Sequence, residues 1–488
     1  MSSELSVSLV AISPIIVLSA WACVLLLVDL FIPKERKGWT AFLAALGLLV
    51  ALIANIVKSA FYDDTISNVF FNGMIVVDGF SNFLNVLFLV SGLAGIALAY
   101  DYLRRTEIER GEYYILLLFT IVGMMLMSMS ADLILVFLGL ELLSIPLYVL
   151  AGIAVPRLSS EEASIKYFLL GAFSSGFFLY GTALLYGATG TTALKGILEA
   201  IETGKFEFTF LLAGGALILV GLGFKIAVVP FHMWTPDVYH GAPSSVAAFM
   251  TVGAKAAGFA VLLRVFILTI PTLSVDFTSV LWTISALTMI VGNVIAIAQK
   301  NIKRLLAYSS IAHAGYILMA LVPYKQENLS SSITSSILFY LVAYAFTSFA
   351  AWAVVIALEK VDEKGLELED YTGLGRKHPA LAAVMTISML SLTGVPPTLG
   401  FLGKFFLFQT VIEGGFLGLA IIGVLTSLVS AYYYLRLVVF MYMRDGEPEV
   451  RKDPWLLVTA YGSAICIIGL SIFATPILYW ISQAVLRL

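Results

Sequence analysis

The chain has 488 residues, 60% of them hydrophobic and 12% charged, where a soluble domain averages roughly 45 to 50% apolar and roughly 25% charged. With a mean hydropathy of +0.99 there is too little polar surface to cover a water-exposed fold of this size, which excludes a soluble protein. The 28 Lys and Arg stand against 31 Asp and Glu, for a net charge of -3, so no basic excess points to nucleic acid.

The opening residues, MSSELSVSLV, lack the basic segment of a signal peptide, and the hydrophobic run behind them reads as the first membrane helix. Windows of about 19 residues predict fourteen hydrophobic helices, at 10–32, 39–60, 78–100, 113–129, 131–153, 164–189, 208–231, 244–269, 277–299, 303–322, 329–358, 379–413 (interrupted), 415–440 and 455–485. No segment alternates with the two-residue period of a barrel strand, so the fold class expected is an all-α polytopic membrane bundle. Short connections make sequential helices antiparallel neighbours. Cys23 and Cys466 lie in apolar runs without CxxC spacing or a neighbouring histidine, so no metal, haem or iron–sulfur ligand set is expected on this chain.

Basic residues sort the two sides, because Lys and Arg accumulate in cytoplasmic loops. Loops after odd-numbered helices carry nineteen, among them Lys34, Arg104, Arg157, Lys303, Lys360 and Arg451. The other side has five (Lys58, Lys195, Lys205, Lys325 and Arg487) together with the acidic Asp63 and Asp64. Both termini are therefore expected on the non-cytoplasmic side. Four basic residues, Lys225, Lys255, Arg264 and Lys404, fit no loop, and one acid, Glu141, lies well inside helix 5. A charge near the bilayer centre costs roughly 2.5 to 3.5 kcal/mol on insertion scales, so such residues point to function.

Helix 7 reads LVGLGFKIAVVPFHMWTPDVYHGAP, with Lys225 five residues before Pro230. Helix 12 reads LTGVPPTLGFLGKFFLFQ, with Pro396 and Pro397 before Lys404. Proline removes an amide donor and clashes with the preceding turn, so both helices must break. Packing alone explains one broken helix. Two matched breaks with lysines predict an inverted repeat and an ion path. The units would be 113–269 (helices 4 to 8) and 277–440 (helices 9 to 13), preceded by 1–112 and followed by a polar loop and last helix at 441–488. Five helices per unit is odd, so the second unit enters from the opposite side.

Lys255 is about 11 residues into helix 8 among small residues, too deep to snorkel easily and open to close approach. Arg264, nearer the outer end, is expected to snorkel. Glu141 shares a helical face with Ser144 and Tyr148, and Lys225 is its expected cation, either as a fixed pair or as a switch that releases the lysine's proton when the pair parts. Asp132 is expected to cap helix 5. His313 on helix 10, flanked by Tyr308, Ser309 and Tyr316, reads either as a proton carrier or as a core histidine. His232 would serve the lysine path or cap the break. His240 and His378 are expected at the interfaces.

The segments LGLELLSIPLYVLAG, GLGFKIAVVPFHMWTPDVYHGAP, RLLAYSSIAHAGYILM and LTGVPPTLGFLGKFFLF resemble the N-type antiporter-like membrane subunits of bacterial proton-pumping NADH:quinone oxidoreductase, respiratory complex I. The resemblance runs from about helix 4 to helix 13. It implies a fourteen-helix subunit that moves protons in the bacterial inner membrane, with NADH, FMN, iron–sulfur clusters and quinone on partner subunits. Neighbouring antiporter-like and small membrane subunits would be its partners. It also implies that Glu141, Lys225, Lys255 and Lys404 match the family's helix 5 glutamate and its helix 7, 8 and 12 lysines. Lysine at 404 fits the N-type or L-type better than the M-type, and the lack of a long C-terminal extension argues against the L-type. His240 stands where the family often has an acid.

The competing readings are a subunit of a multisubunit cation/proton antiporter or membrane-bound hydrogenase, and a structural spacer. A sodium site wants clustered carboxylates, whereas this chain has essentially one deep one, and four deep titratable residues argue against a spacer. The stretch EKVDEKGLELEDYTGLGRKHP between helices 11 and 12 is expected to be a solvated connector rather than a docking segment.

Overall fold

The computed structural model describes residues 2–61, 68–269, 277–360, 364–484 and 486; Asp63, Asp64 and Arg487 lie outside them. Numbered by membrane pass, the helices are α1 (Ser13–Asp29), α2 (Gly38–Phe61), α3 (Gly79–Arg105), α4 (Gly111–Met129), α5 (Leu133–Ala151), α6 (Leu158–Thr189), α7a (Phe208–Ile226) and α7b (Trp234–Gly241). There follow α8 (Ser244–Leu268), α9 (Thr278–Ile297), α10 (Ile302–Leu321), α11 (Ser330–Leu358), α12a (Pro379–Thr393), α12b (Leu399–Glu413), α13 (Leu417–Met443), α14a (Pro454–Ile472) and α14b (Thr475–Gln483).

Among the described residues eleven helices are long and apolar enough to cross a membrane. The other three passes have identifiable reasons to fall short. α1 has 17 residues, α12 is split, and α10 is diluted by Arg304, His313 and paired serines. A small hairpin that hydropathy does not reveal pairs Asn68–Phe70 with Ile75–Val77, turning through Phe71, Asn72 and Gly73 at positive φ.

Helix starts are set by side chains that replace missing backbone partners. Asp78 accepts from Ser81 N at 2.9 Å while Ser81 Oγ returns the bond, a capping box on α3. Asp132 caps α5 through Ile134 N at 2.8 Å, as expected. Asn301 caps α10 through Lys303 N and Arg304 N.

α8 is buried along its whole apolar stretch and α11 nearly so, while α6, α13 and α14a leave most of theirs exposed. The two buried helices form the axis of the bundle, and the exposed apolar faces are what a bilayer solvates. α8 packs on α3, α4, α7a and α11, α7b lies between α6 and α10, and α12b packs on α10, α11 and α13. The lysine-bearing segments are thus drawn toward one central seam.

Candidate functional site

Both predicted breaks form. α7a ends at Ile226, where Ala227 takes a left-handed φ of 62°, and backbone freed by the break finds partners elsewhere. Trp234 Nε1 donates to Phe224 O at 3.0 Å, and Val229 N donates across to Thr288 Oγ1 on α9 at 2.9 Å. In the second break Gly394 has φ 88°, and Thr398 Oγ1 accepts from Phe401 N to restart α12b. Irregular backbone at membrane depth persists only when its polar groups are satisfied in this way.

Lys225 stands in the last turn before the first break. Its Nζ donates to Ser144 Oγ at 2.8 Å and to Tyr167 Oη at 3.4 Å, and lies 5.8 Å from the centre of the Tyr167 ring. Tyr167 is held in turn by stacking on Trp234, centroids 4.6 Å apart. The expected Glu141–Lys225 ion pair does not form. Ser144, one turn nearer, takes the hydrogen bond, and half-buried Glu141 keeps one buried carboxylate oxygen without a partner.

Lys255 follows a π-helical turn over Met250–Ala254 that the sequence did not reveal, a distortion common at functional sites. Its Nζ donates to both the carbonyl and the hydroxyl of Ser310 on α10, and faces the Tyr344 ring at 5.8 Å. One turn on, Gly258 makes room for Ile226 at the end of α7a, since a Cβ there would sit 2.6 Å from Ile226 Cγ2, beside the Lys225 stem at an ordinary 3.6 Å from Cγ.

His313 bridges two tyrosines. Nδ1 meets Tyr340 Oη at 2.5 Å and Nε2 meets Tyr434 Oη at 3.1 Å, while Tyr434 also bonds Ser309 Oγ. A small cavity of about 10 Å³ beside the ring reaches Thr347, Ser391 and Gly400 at the second break. Lys404 donates to Thr393 O at 2.9 Å and Ser427 Oγ at 2.7 Å, with its Nζ 4.7 Å over the Tyr316 ring. The structure thus gathers Lys225, Lys255, His313 and Lys404 into buried polar seats, linked by Ser309, Ser310 and the tyrosines. Tyr308 is half-buried and bonds none of them. His232 lies at the break, and its Nδ1 is without a partner.

Three expectations need correcting. Arg264 does not snorkel: it is 1% exposed and forks onto Asp78, itself 0% exposed, with Nη1–Oδ2 at 3.0 Å and Nη2–Oδ1 at 2.9 Å, while Nε donates to Ser128 O. Fork geometry of this kind suits a closed pair. Lys58, assigned to a loop, is buried with its Nζ on Asn82 Oδ1 at 2.5 Å, and Lys303 is buried on Ala242 O. The sequence also gave no sign of Tyr340, Tyr344, Tyr434 or Ser427 as partners, because these contacts join residues distant in the chain.

The family model described as NADH:quinone oxidoreductase/Mrp antiporter, transmembrane, matches residues 130–430. The NADH-quinone oxidoreductase subunit N of Trichlorobacter lovleyi is 46% identical over 456 residues, covering 93% of this chain and 91% of the relative. That of Chloroflexus aggregans is 43% identical over 488 residues, covering 99% and 98%. A chain of respiratory complex I from Thermus thermophilus, solved with bound aureothin, superposes with a TM-score of 0.82 at 35% identity over 96% of this chain and 99% of its own. With the broken helices and seated lysines already in view, these likenesses settle the family: the chain belongs to the NADH-quinone oxidoreductase subunit N family of multi-pass membrane proteins.

Proposed function

We propose that this chain translocates protons as a membrane subunit of an NADH:quinone oxidoreductase, by way of Glu141, Lys225, Lys255, His313 and Lys404. The observation that carries the reading is the contrast between the lysines and Arg264. Lys225, Lys255 and Lys404 are 2 to 4% exposed, and each ammonium is held by hydroxyls, carbonyls and aromatic faces, with no ion pair among the described residues. Arg264, equally buried, is closed by a carboxylate. A buried cation stabilised by dipoles alone is poised between holding and releasing its proton, so a small change in field from neighbouring subunits moves it. A paired arginine holds its charge permanently.

Helix adjacency supports two inverted units at 113–269 and 277–440. The contacts α4–α5, α6–α7a, α6–α7b, α7a–α8 and α4–α8 in the first recur as α9–α10, α11–α12a, α11–α12b, α12a–α13 and α9–α13 in the second. Protons enter from the side of the basic loops, pass Lys225, Lys255 and His313, and leave by Lys404 toward the side bearing both termini. NADH oxidation and quinone reduction, with their FMN and iron–sulfur centres, belong to partner subunits, which supply the driving force.

The test is Lys225→Ala in the whole complex reconstituted in vesicles, with NADH-driven proton uptake and NADH:quinone turnover measured together. Both are expected to fall while assembly persists. Unchanged uptake and turnover would overturn the reading in favour of a spacer.

A further inference from the structure

On the side of the basic loops, α3, the turn between α7b and α8, and the end of α11 enclose a buried polar cluster that the route above does not use. Glu359 caps the C-terminus of α11 and is 2% exposed, one residue inside the exposed Lys360. Its Oε1 accepts from Tyr102 Oη at 3.0 Å, and Tyr102 Oη accepts from Ser244 N at 3.2 Å. Glu359 Oε2, Ser244 Oγ and Tyr371 Oη are all buried without a hydrogen-bond partner. Glu359 makes no ion pair among the described residues. The nearby Arg105 is committed to Ile356 O and to Asp453 at 3.3 Å.

A carboxylate placed here for packing would be expected to be closed, as Arg264 closes Asp78, because an unsatisfied buried charge is costly. The acid's own free oxygen and the free Ser244 and Tyr371 hydroxyls instead form a seat for a hydrogen-bonded proton. The cluster also faces inward along α8. Seven residues after Ser244, about 10 Å along the helix axis and on the same face, Thr251 donates to Ala247 O at 2.7 Å and comes near the buried Tyr239 hydroxyl, as does Ser310, without a hydrogen bond to it. Ser310 holds Lys255.

We infer that Glu359 is the uptake carboxylate that loads protons from the basic-loop side for Lys255, with Tyr102 positioning its Oε1 and the free Ser244 hydroxyl relaying the proton inward; this rests on the proton-path reading above. Proton binding at Oε2 forms an O–H bond and neutralises the carboxylate. Release inward breaks that O–H bond and restores the carboxylate, the proton ending in a new N–H bond on the neutral Lys255 amine, and no electrons are exchanged.

The test uses the assembled complex in vesicles with Glu359→Gln, which keeps the shape and the acceptor for Tyr102 but cannot carry the proton. Initial NADH-driven proton uptake is expected to fall about a hundredfold or more, the low end for loss of a proton-transfer group. Glu359→Asp should retain most of the rate, and NADH oxidation by ferricyanide should be unchanged in both. Wild-type uptake in Glu359→Gln would overturn the inference. Lys255→Ala separates it from the parent reading: loss of uptake there with normal uptake in Glu359→Gln sinks the uptake site alone, whereas normal uptake in both sinks the Lys255 path as well. If Glu359→Gln fails to assemble, Ser244→Ala leaves the charge and the backbone bond to Tyr102 and removes only the relay hydroxyl. A comparable fall in that variant supports the inference, and normal uptake overturns it.

Discussion

Replacing Arg264 by methionine separates architecture from transport. The substitution keeps much of the side-chain volume but leaves the Asp78 carboxylate, 0% exposed, without the two guanidinium bonds at 2.9 and 3.0 Å. Breaking a buried pair by removing one partner costs about 3 to 5 kcal/mol. The loss of the bond to Ser128 O and of the Phe80 face, 5.2 Å from the guanidinium, adds to it. Asp78→Leu breaks the same pair from the other side and also removes the α3 cap, worth about 1 kcal/mol. Because well-packed hydrophobic replacement of both partners is often neutral or better, the double variant should be limited mainly by the lost cap. It should be at least about 2 kcal/mol more stable than the sum of the singles predicts. The assay is thermal unfolding and yield of the assembled complex, with proton uptake normalised to the assembled fraction. Normal assembly of Arg264→Met with uptake per complex largely lost would refute the reasoning and put Arg264 on the proton path.

Ser144→Ala removes the closest oxygen on Lys225; a hydrogen bond to a charged group is worth about 1.5 to 3 kcal/mol, so coupled turnover should drop roughly tenfold with assembly preserved. Gly258→Val puts a side chain where a Cβ already sits 2.6 Å from Ile226. Overpacking costs about 1 to 3 kcal/mol and should displace the Lys225 stem, read as reduced uptake that Gly258→Ala reproduces in weaker form. Tyr434→Phe cuts His313 Nε2 from Ser309 and should slow uptake, whereas Tyr308→Phe should leave it unchanged.

Much of this molecule is legible without coordinates, because membrane helices announce themselves by length and the few charges left over are costly enough to need a reason. Lys225, Lys255 and Lys404 stand out by that argument alone, and proline chemistry places both breaks. Asp132 reads as a cap and is one. Distance from the helix end alone does not place Arg264, because a buried carboxylate nearby competes with the interface for its charge. Asp78, followed three residues later by Ser81, has the spacing of a capping pair at a helix start, and its position at the start of helix 3 offers the missing partner. The Glu359 cluster was hidden for another reason: its acid sits first in a run of connector charges, and Tyr102 lies 257 residues away in the chain. The π turn before Lys255 and the seats built by Tyr344, Tyr434 and Ser427 depend on helices that are apolar on every face, where periodicity no longer says which residue points inward.

The partners chosen for buried charge divide the membrane interior by task. Outside the proposed proton path, a buried guanidinium meets a carboxylate that also caps a helix, so α3 and α8 are locked together by an ion pair. Along the proposed path, an ammonium meets only neutral oxygens and rings, and it sits beside a helix break or a π turn. There the regular hydrogen-bond ladder is interrupted and the backbone is already satisfied by tertiary partners such as Trp234 and Thr288. Such a seat can change charge without unmaking the fold, because the groups that secure the break are not the groups that hold the proton. Substituting arginine for Lys225 would abolish that separation: it restores the charge, but on a group that does not deprotonate in proteins. The expected result is an assembled complex with uptake as low as in Lys225→Ala, and wild-type uptake in Lys225→Arg would show that positive charge at this seat, rather than its proton, is what the protein uses.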